Sequence, residues 1–172
     1  MEIQRTFRLR PIEESDNDAM AEIIKQCAHE FDLIGPGYGP TDEEVDHLFQ
    51  AYHGLGRAYW LAESPDKILG GAGIAGLEGE SQLWCELRKM YVLPAGRGLG
   101  IGFSLLQQLM IEAYDFGFRY CYLETTGALV QAKELYLKAG FKILEEPMGQ
   151  TGHTRCEIPM ALDIGLFLAN PP

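Results

Sequence analysis

Glycines recur at every second position from 96 to 102, and this stretch is the part of the sequence best suited to chemistry. It follows an apolar, strand-like run over residues 87–93, which Pro94 ends because proline has no N–H to give a sheet. Residues 101–113 then carry an amphipathic helical pattern. A glycine-rich turn between a strand and a helix leaves several N–H groups unpaired at the positive end of the helix dipole. The stretch therefore predicts a phosphate site, which an oxyanion can approach closely because side chains are missing.

The spacing of these glycines excludes two common phosphate-binding motifs. The dinucleotide fingerprint G-x-G-x-x-G needs a sixth-position glycine, but counting from Gly96, Gly98 or Gly100 that position holds an apolar residue. A Walker loop ends in Gly-Lys-Ser/Thr, which the stretch lacks. What remains is the pattern R-x-x-G-x-G over residues 97–102. The alternative to a phosphate site is an ordinary helix N-terminus, in which the glycines serve only tight packing.

Composition limits the class of protein. The chain has 172 residues, of which 47% are hydrophobic and 23% charged, and it predicts one globular domain over residues 1–172 with a substantial core. The formal net charge of −11 argues against nucleic acid or an anionic membrane as a partner. It would suit a cationic amine, although a solvated acidic surface is the commoner explanation of such a charge.

Cysteines and histidines give no sign of a disulfide framework or a metal site. Cys27, Cys85, Cys121 and Cys156 are far apart and form no C-x-x-C pair, so we expect free thiols in a reducing compartment. The four histidines lack the spacing of metal ligands, and no metal is expected. The sequence has no run near the ~18 apolar residues of a membrane span and no signal-peptide pattern. We therefore expect a cytoplasmic protein.

Strand and helix patterns alternate along the chain and must position the glycine-rich stretch. Strand patterns cover residues 7–10, 57–63, 68–77, 83–93, 120–124, 141–145 and 156–162. Helical patterns run from the expected N-cap Ser15 to Cys27, from a capping box at Thr41 and Glu44 to Tyr52, from residue 101 to Gly117, and over 129–139. Short turns between the strands of 57–93 favour an antiparallel meander, whereas the strand–helix–strand order of 83–124 predicts two parallel neighbours. Residues 163–172 have no clear assignment.

Two motifs, in this order and spacing, resemble the GNAT family (Gcn5-related N-acetyltransferases). The pyrophosphate loop of that family reads Arg/Gln-x-x-Gly-x-Gly/Ala after a strand ending in Val-x-Pro, as residues 92–102 do here. A later family helix reads A-x-x-L-Y-x-x-x-G-F, which residues 132–141 match. The resemblance covers about residues 83–145, and the N-terminal third matches only in its order of elements.

The resemblance implies an α/β fold with a mixed, mostly antiparallel sheet of six to seven strands and helices on both faces. The sheet would be splayed between two central parallel strands, with acetyl-CoA as cosubstrate lying in the splay. The backbone of Met90, Tyr91 and Val92 would bind the pantetheine arm like an added strand. The pyrophosphate would be held by Arg97 and by the amides of Gly98, Leu99, Gly100, Ile101, Gly102 and Phe103. A solvent-exposed cation is the alternative for Arg97.

Acetyl transfer to an amine requires stabilisation of the thioester carbonyl oxygen and protonation of the leaving thiolate. The resemblance places a tyrosine near the sulfur of coenzyme A, which makes Tyr136 the candidate acid. A backbone N–H of Tyr91 or Val92 would polarise the carbonyl. The alternative for Tyr136 is an aromatic residue on the core face of its helix.

The amine must also lose a proton, and the resemblance offers two candidate bases. Glu124 ends a strand where some family members carry a glutamate base, and Glu86 lies on the neighbouring strand near another such position. A carboxylate at a strand end in an apolar cleft has a raised pKa, which suits a base. Glu86 lies beside Arg88, so an ordinary ion pair is an alternative, and a water relay without a dedicated base is another.

The acceptor site should lie in residues 31–52, where Tyr38 between two glycines is expected to line it. The resemblance implies a primary amine of a small molecule or a peptide as substrate. A protein N-terminus or lysine, and a CoA-binding sensor without turnover, are the alternatives. Leu129 stands where many relatives have an asparagine that contacts the cofactor. The apolar residues 164–169 would form a homodimer contact or pack on their own domain.

Overall fold

The computed structural model describes residues 6–172, which form seven strands and five helices. The strands are β1 (Arg8–Pro11), β2 (Ala58–Glu63), β3 (Ile68–Gly76), β4 (Trp84–Val92), β5 (Tyr120–Thr125), β6 (Lys142–Ile143) and β7 (Ile158–Asp163). The helices are α1 (Asn17–Glu30), α2 (Leu48–Ala51), α3 (Ile101–Asp115), α4 (Val130–Ala139) and α5 (Ile164–Ala169). Four 3₁₀ turns occupy Glu14–Asp16, Gly39–Thr41, Glu43–His47 and Pro94–Gly96.

The seven strands form one sheet in the order β1-β2-β3-β4-β5-β7-β6. All neighbours are antiparallel except β4 and β5, which are parallel and are joined through α3. This arrangement confirms the predicted mixed, mostly antiparallel sheet and its parallel central pair.

Helices cover both faces of the sheet. Adjacent residues of a strand point to opposite faces, so Tyr59 and Leu61 belong to one buried cluster while Ala58 and Ala62 belong to the other. The first cluster contains the buried face of α1, and the second contains the buried residues of α3 and α4. Burial of apolar side chains on both sides therefore holds the sheet between two helical layers.

The parallel strands pair only at their start and then separate. Register pairs join residues 84–86 of β4 to residues 120–122 of β5, and the remaining residues of these strands have no pairing with each other. A bulge in β4 lies just beyond this point, because two steps along β3 (Gly71 to Gly73) match three steps along β4 (Arg88 to Tyr91). Lys89, inside the bulge, has a φ of 51°, which is uncommon for a residue with a side chain. The bulged strand bends, and a cleft opens between β4 and β5.

The main helix α3 buries the face that its sequence pattern predicts. Its six buried side chains are each at most 1% exposed and are Ile101, Leu105, Leu106, Leu109, Met110 and Ala113. Gly102 lies against α4, where an added Cβ would stand 2.9 Å from Leu135 Cδ2. The small residue at this position lets α3 and α4 approach each other beside the cleft.

The predicted helix from Thr41 to Tyr52 is wrong in most of its length. The structure has two 3₁₀ turns there and a helix, α2, of only four residues. The capping box does not form, because the Thr41 hydroxyl accepts a hydrogen bond from the Gly35 N–H (3.1 Å). Glu44 instead bonds to the Tyr52 hydroxyl at 2.8 Å and to Lys89 at 3.1 Å. Tertiary partners for these polar groups replace the local helical ones.

Two further expectations are corrected at helix ends. Ser15 is not the N-cap of α1 but lies within the first 3₁₀ turn, and Asp16 precedes α1. Residues 163–172, left unassigned from sequence, contain the end of β7 and helix α5. Asp163 begins α5 because its carboxylate accepts a hydrogen bond from the Leu166 N–H (3.0 Å). Ile164 and Phe167 of α5 are buried against the chain's own core, while Leu166 is exposed.

Among residues 6–172, no helix combines the length and the apolar character that crossing a membrane requires.

Candidate active site

The glycine-rich turn presents a row of main-chain donors at the start of α3. Gly98 and Gly100 have φ values of 77° and 81°, a left-handed conformation that glycine adopts without strain. Within residues 6–172, the N–H groups of residues 98–103 find no acceptor, and the first donor of α3 to be satisfied is Ser104, bonded to the Gly100 carbonyl at 3.0 Å. Six successive free N–H groups at a helix N-terminus can bind an anion such as a diphosphate.

A cavity of about 620 Å³ lies directly against these donors. It is bounded by the glycine-rich turn, by the end of β4, by the end of α1 and by the start of α4. Its lining includes Met90, Tyr91, Val92, Gly98, Gly100, Ile101, Gly102, Phe103, Leu129 and Ala132. The cavity is therefore large enough for a cofactor, and its walls are mostly apolar with the free amides at one end.

The edge of β4 that faces this cavity is available for pairing. The Leu93 N–H donates to the Leu69 carbonyl of the β3 side at 2.8 Å. Polar groups of successive strand residues point to opposite edges, so those of Val92 point away from β3 and into the cleft. The Val92 carbonyl accepts a hydrogen bond from Arg97 Nε at 3.1 Å, which agrees with that direction. The Val92 N–H is thereby left facing the space where an extended ligand would lie.

Arg97 is tied to α1 rather than left free at the turn. Its guanidinium donates to both carboxylate oxygens of Glu30, at 2.5 and 2.7 Å, and lies 5.3 Å from the centroid of the Phe31 ring. The hydrogen bonds to Glu30 raise the pKa of Arg97, and those from Arg97 lower the pKa of Glu30. Arg97 lines the large cavity, and its hydrogen bonds to Val92 and Glu30 join the glycine-rich turn to the end of β4 and to the end of α1.

A second, smaller cavity of about 50 Å³ lies on the other side of Tyr91 and Leu129, which line both cavities. Tyr38 and Pro40 from the loop after α1 cover this small cavity, together with His153 and Cys156 from the loop before β7. The predicted substrate residue Tyr38 is therefore at the site, with the Arg155 guanidinium stacked 4.3 Å from its ring centroid. Leu129, in place of the family asparagine, sits where the two cavities meet.

Both candidate bases reach the small cavity, because they lie where β4 and β5 separate. Glu86 is the last residue of β4 that pairs with β5, and it accepts a hydrogen bond from Arg88 Nε at 2.6 Å. Burial raises the pKa of Glu86, although the charges of Arg88 and His153 oppose the rise. Glu124 on β5 accepts hydrogen bonds from the hydroxyls of Tyr122 and Thr151, each at 2.7 Å. The structure thus brings the two predicted carboxylates together.

His153 stands between these carboxylates. Its Nδ1 lies 3.8 Å from Glu86 Oε1 and 3.9 Å from Glu124 Oε2, and its side chain is 10% exposed. Its Nε2 lies 2.7 Å from Asp42 Oδ2, and Asp42 also binds the Nζ of Lys89 at 2.5 Å. Burial by itself raises the pKa of Asp42, but bonds and charges from His153 and Lys89 outweigh burial and lower it.

Tyr136, the candidate acid, is placed behind the cavity wall. It is 6% exposed and lines neither cavity, and its hydroxyl lies 3.6 Å from the Sδ of Met90, which does line the large one. Burial raises the pKa of the Tyr136 hydroxyl, so the group stays protonated at neutral pH. One methionine side chain separates the phenol from the cleft.

A model of the acetyltransferase (GNAT) family matches residues 18–141. This chain belongs to the GNAT family. An uncharacterised N-acetyltransferase of Escherichia coli strain K12, YjgM, is 41% identical over 157 residues, which span 91% of this chain and 94% of that protein. The predicted enzyme class, an acetyl-CoA-dependent acyltransferase, is confirmed by these matches.

Solved structures of other GNAT proteins share the fold. A GNAT acetyltransferase from Staphylococcus aureus Mu50 superimposes with a TM-score of 0.79 at 19% identity, covering 92% of this chain and 99% of that one. The phosphinothricin acetyltransferase of Sinorhizobium meliloti, solved in complex with AcCoA, gives a TM-score of 0.73 at 25% identity, covering 97% and 93%. The splayed sheet of this GNAT protein is thus a shared framework.

Sequence reasoning about this GNAT protein missed His153, Asp42 and Lys89 as parts of one network. His153 lies in a loop with no motif, and its partner Asp42 is 111 residues away, so no local signal could have joined them. No cluster of three or more His, Cys, Asp or Glu side chains in residues 6–172 is arranged to hold a metal ion.

Proposed function

We propose that this enzyme transfers the acetyl group of acetyl-CoA to a primary amine of a small molecule or peptide, by direct attack in a ternary complex. The observation that carries the proposal is the row of free amides over residues 98–103, which faces a cavity of about 620 Å³. Tyr91 and Leu129 line both this cavity and a small one where the two parallel strands separate, which is also lined by Glu86 and Glu124. The two cavities suit an anionic cofactor and a cationic acceptor, respectively.

Acetyl-CoA would lie along the large cavity. The amides of residues 98–103 and the α3 dipole would hold its diphosphate. The Val92 N–H and the neighbouring backbone of Met90 would pair with the amides of the pantetheine arm, as an added strand does. Phosphinothricin acetyltransferase, which has a similar fold, was solved with AcCoA, and that likeness supports this placement.

The amine would bind in the small cavity, whose surroundings hold more carboxylates than cations. Glu86 and Glu124 line it together with Arg88 and Lys89, and Asp42 and Glu44, outside the lining, bind the Nζ of Lys89. Four carboxylates thus accompany two cations. An ammonium group would be attracted to this excess negative charge. The formal net charge of −11 would also attract a cationic amine from a longer distance.

The residues present can meet the requirements of acetyl transfer. The Val92 N–H would donate to the carbonyl oxygen of the thioester as charge develops there. Glu86 and Glu124 are carboxylates next to the amine and are candidate proton acceptors. Tyr136 would protonate the departing thiolate. The Met90 side chain, which contacts the Tyr136 hydroxyl, would have to move aside so that the sulfur of the cofactor could reach it.

A small molecule is favoured over a folded protein as acceptor by one observation. The small cavity holds only about 50 Å³ and is covered by Tyr38 from one loop and His153 from another. A protein amine thus remains the second candidate function, and a CoA-binding sensor without turnover the third.

The test is release of free thiol from acetyl-CoA in the presence of a panel of small amines and peptides. Peptides with a free N-terminus or a lysine side chain separate the two enzyme functions, and calorimetry measures binding of CoA itself. Thiol release with at least one small amine is expected. Tight CoA binding without release from any acceptor would assign a sensor, and absence of binding would refute the proposal.

We also infer a cytoplasmic location and keep the homodimer as a hypothesis, both from the sequence. Ile164 and Phe167 pack inside the chain's own core, whereas Leu166 and Ala169 of the 164–169 segment are exposed and available to a partner. Light scattering on the purified protein measures its mass in solution and decides whether it is a homodimer.

A further inference from the structure

Three acceptor atoms meet at one point of the small cavity. Nδ1 of His153 lies 3.8 Å from Glu86 Oε1 and 3.9 Å from Glu124 Oε2. These separations are too long for direct hydrogen bonds, so Nδ1 is not itself bonded to either glutamate. All three residues line the cavity. A primary ammonium carries three N–H donors and matches such a set of acceptors.

The partner of Nε2 decides which nitrogen of His153 is free. Asp42 Oδ2 is 2.7 Å from Nε2, and Asp42 also accepts a hydrogen bond from Lys89, whose side chain is 1% exposed. An ionised carboxylate can only accept, so Nε2 must carry the hydrogen. Neutral His153 then presents the lone pair of Nδ1 to the cavity.

The two carboxylates are less available than this nitrogen. Glu124 accepts a hydroxyl hydrogen bond at each oxygen, from Tyr122 and from Thr151. Glu86 is bonded to Arg88 through Oε2. These bonds occupy both oxygens of Glu124 and one oxygen of Glu86, whose pKa is nevertheless raised by burial. Within residues 6–172, Nδ1 of His153 has no hydrogen-bond donor against it.

We propose that His153 is the proton acceptor of the reaction and that, with Glu86 and Glu124, it forms the binding site for a compact primary ammonium substrate. This inference rests on the proposed transferase function and adds to it the group that takes the proton. Asp42 is a positioning residue, because it acts by fixing the tautomer of His153.

The proton and electron balance is complete without another reactant. The bound ammonium gives one proton to Nδ1, and the imidazolium that forms is stabilised by Asp42 and the two glutamates. The freed nitrogen lone pair attacks the thioester carbon, the C–N bond forms and the C–S bond breaks. A second proton leaves the nitrogen as the amide forms and ends on the thiolate, so that CoA departs as the thiol. His153 then releases its proton to solvent.

Activity should therefore rise with pH, because the reaction needs the unprotonated imidazole. Protonated His153 has no lone pair and would itself bond to the carboxylates. The charged groups that face it are Glu86 on β4, Glu124 on β5 and Asp42 from the loop before α2. Behind them lie the cations Arg88 and Lys89, paired with Glu86 and Asp42.

The experiment compares the full chain with its H153Q variant, since glutamine can donate to Asp42 but is not a base. We expect kcat/KM for the amine to fall on the order of 100-fold and its rise with pH to disappear, with acetyl-CoA affinity unchanged. His47, which is exposed, gives the matched control H47Q with no change. The Asp42→Asn variant should lower kcat/KM and displace the pH profile, because its amide side chain no longer fixes Nε2–H.

A second measurement needs no turnover. Nitrogen-15 NMR of the imidazole in the wild-type protein should show the Nε2–H tautomer, with Nδ1 perturbed when a reactive amine from the panel is added. A hydrogen on Nδ1 of the neutral ring, or an H153Q variant that keeps the pH profile and the rate, would overturn the assignment. If wild type binds CoA but acetylates no amine, the transferase function fails first, and the role of His153 falls with it.

Discussion

Arg97 and Glu30, which both line the large cavity, form a bidentate ion pair with N–O distances of 2.5 and 2.7 Å. The pair joins the glycine-rich turn to the end of α1, two elements that are 67 residues apart in the chain. The arginine of the R-x-x-G-x-G pattern therefore fixes a wall of the cavity in addition to any contact with the cofactor. The bidentate geometry limits the motion of both side chains.

This pair gives the first prediction. Arg97→Ala and Glu30→Ala should each lower the free energy of unfolding by roughly 0.5–1 kcal/mol, as a partly exposed ion pair does. The double variant should lose little more than the larger single effect, because the two changes remove one interaction. Urea unfolding measures all three, with Lys25→Ala at the exposed pair with Asp46 as a control. Full additivity of the two changes would show that the pair has no coupling.

The second prediction concerns the glycine-rich turn and its proposed binding of an anion. Gly100 has a φ of 81° and open space at its Cβ position, so Gly100→Ala brings backbone strain and a methyl group beside the free amides. We expect the KM for acetyl-CoA to rise at least about tenfold. The backbone strain should also lower the free energy of unfolding by roughly 1–2 kcal/mol. Gly117→Ala is a matched control, since Gly117 has a φ of 99° and equally open space but ends α3 far from the cavity lining. Equal KM values in the two variants would contradict an anion site at the turn.

The third prediction tests the buried cation Lys89. Its Nζ binds Asp42 and Glu44, and Lys89→Met leaves both carboxylates without their cation. Breaking a buried pair by removing one partner costs about 3–5 kcal/mol, which urea unfolding at pH 7 should detect. Lys67→Met, at an exposed side chain, should stay within about 0.5 kcal/mol of wild type.

The same variant has an expected pH dependence. Interactions with Lys89 and other partners hold the folded-state pKa values of Asp42 and Glu44 below normal, so this stability is present above the unfolded pKa values of about 4 and is lost as pH falls through the folded ones. Without Lys89, burial raises these pKa values, and the variant takes up protons at higher pH. Its deficit relative to wild type should therefore shrink between pH 7 and pH 4, and a constant deficit would count against the charge explanation.

The fourth prediction concerns the buried phenol. Tyr136→Phe keeps the ring contact with Phe141, whose centroid is 5.6 Å away, and removes only the hydroxyl. If the hydroxyl protonates the thiolate, kcat should fall at least about tenfold while CoA binding is unchanged. The deficit should shrink with an acetyl thioester of a more acidic thiol, which needs less help in leaving. Tyr120→Phe, at a residue outside both cavities, is the control, and a deficit independent of the leaving thiol would assign Tyr136 to packing.

Local features of the site follow from the sequence. The glycines of 96–102, the stop at Pro94 and the apolar face of α3 act within a few residues of one another, so pattern and spacing predict the turn and the helix. The family resemblance offered Glu86 and Glu124 as candidate bases, and Tyr38 was expected in the acceptor loop; the structure brings all three to the small cavity.

Contacts between distant segments were decided only by the tertiary structure. Thr41 and Glu44 match a capping box, yet Gly35, Tyr52 and Lys89 compete for their side chains, and the helix gives way to 3₁₀ turns. Tyr136 carries the family motif, but its hydroxyl faces Met90 rather than open space.

The sequence alone therefore predicted the family, the mixed sheet and the glycine-rich turn, because motifs, strand patterns and turn residues can each be read from short stretches of the chain. The tertiary structure alone decided that Asp42, from before α2, orients His153, from before β7, between two glutamates. A side chain in a loop takes its environment from whatever the fold packs against it, and buried polar groups find partners wherever these lie in the sequence.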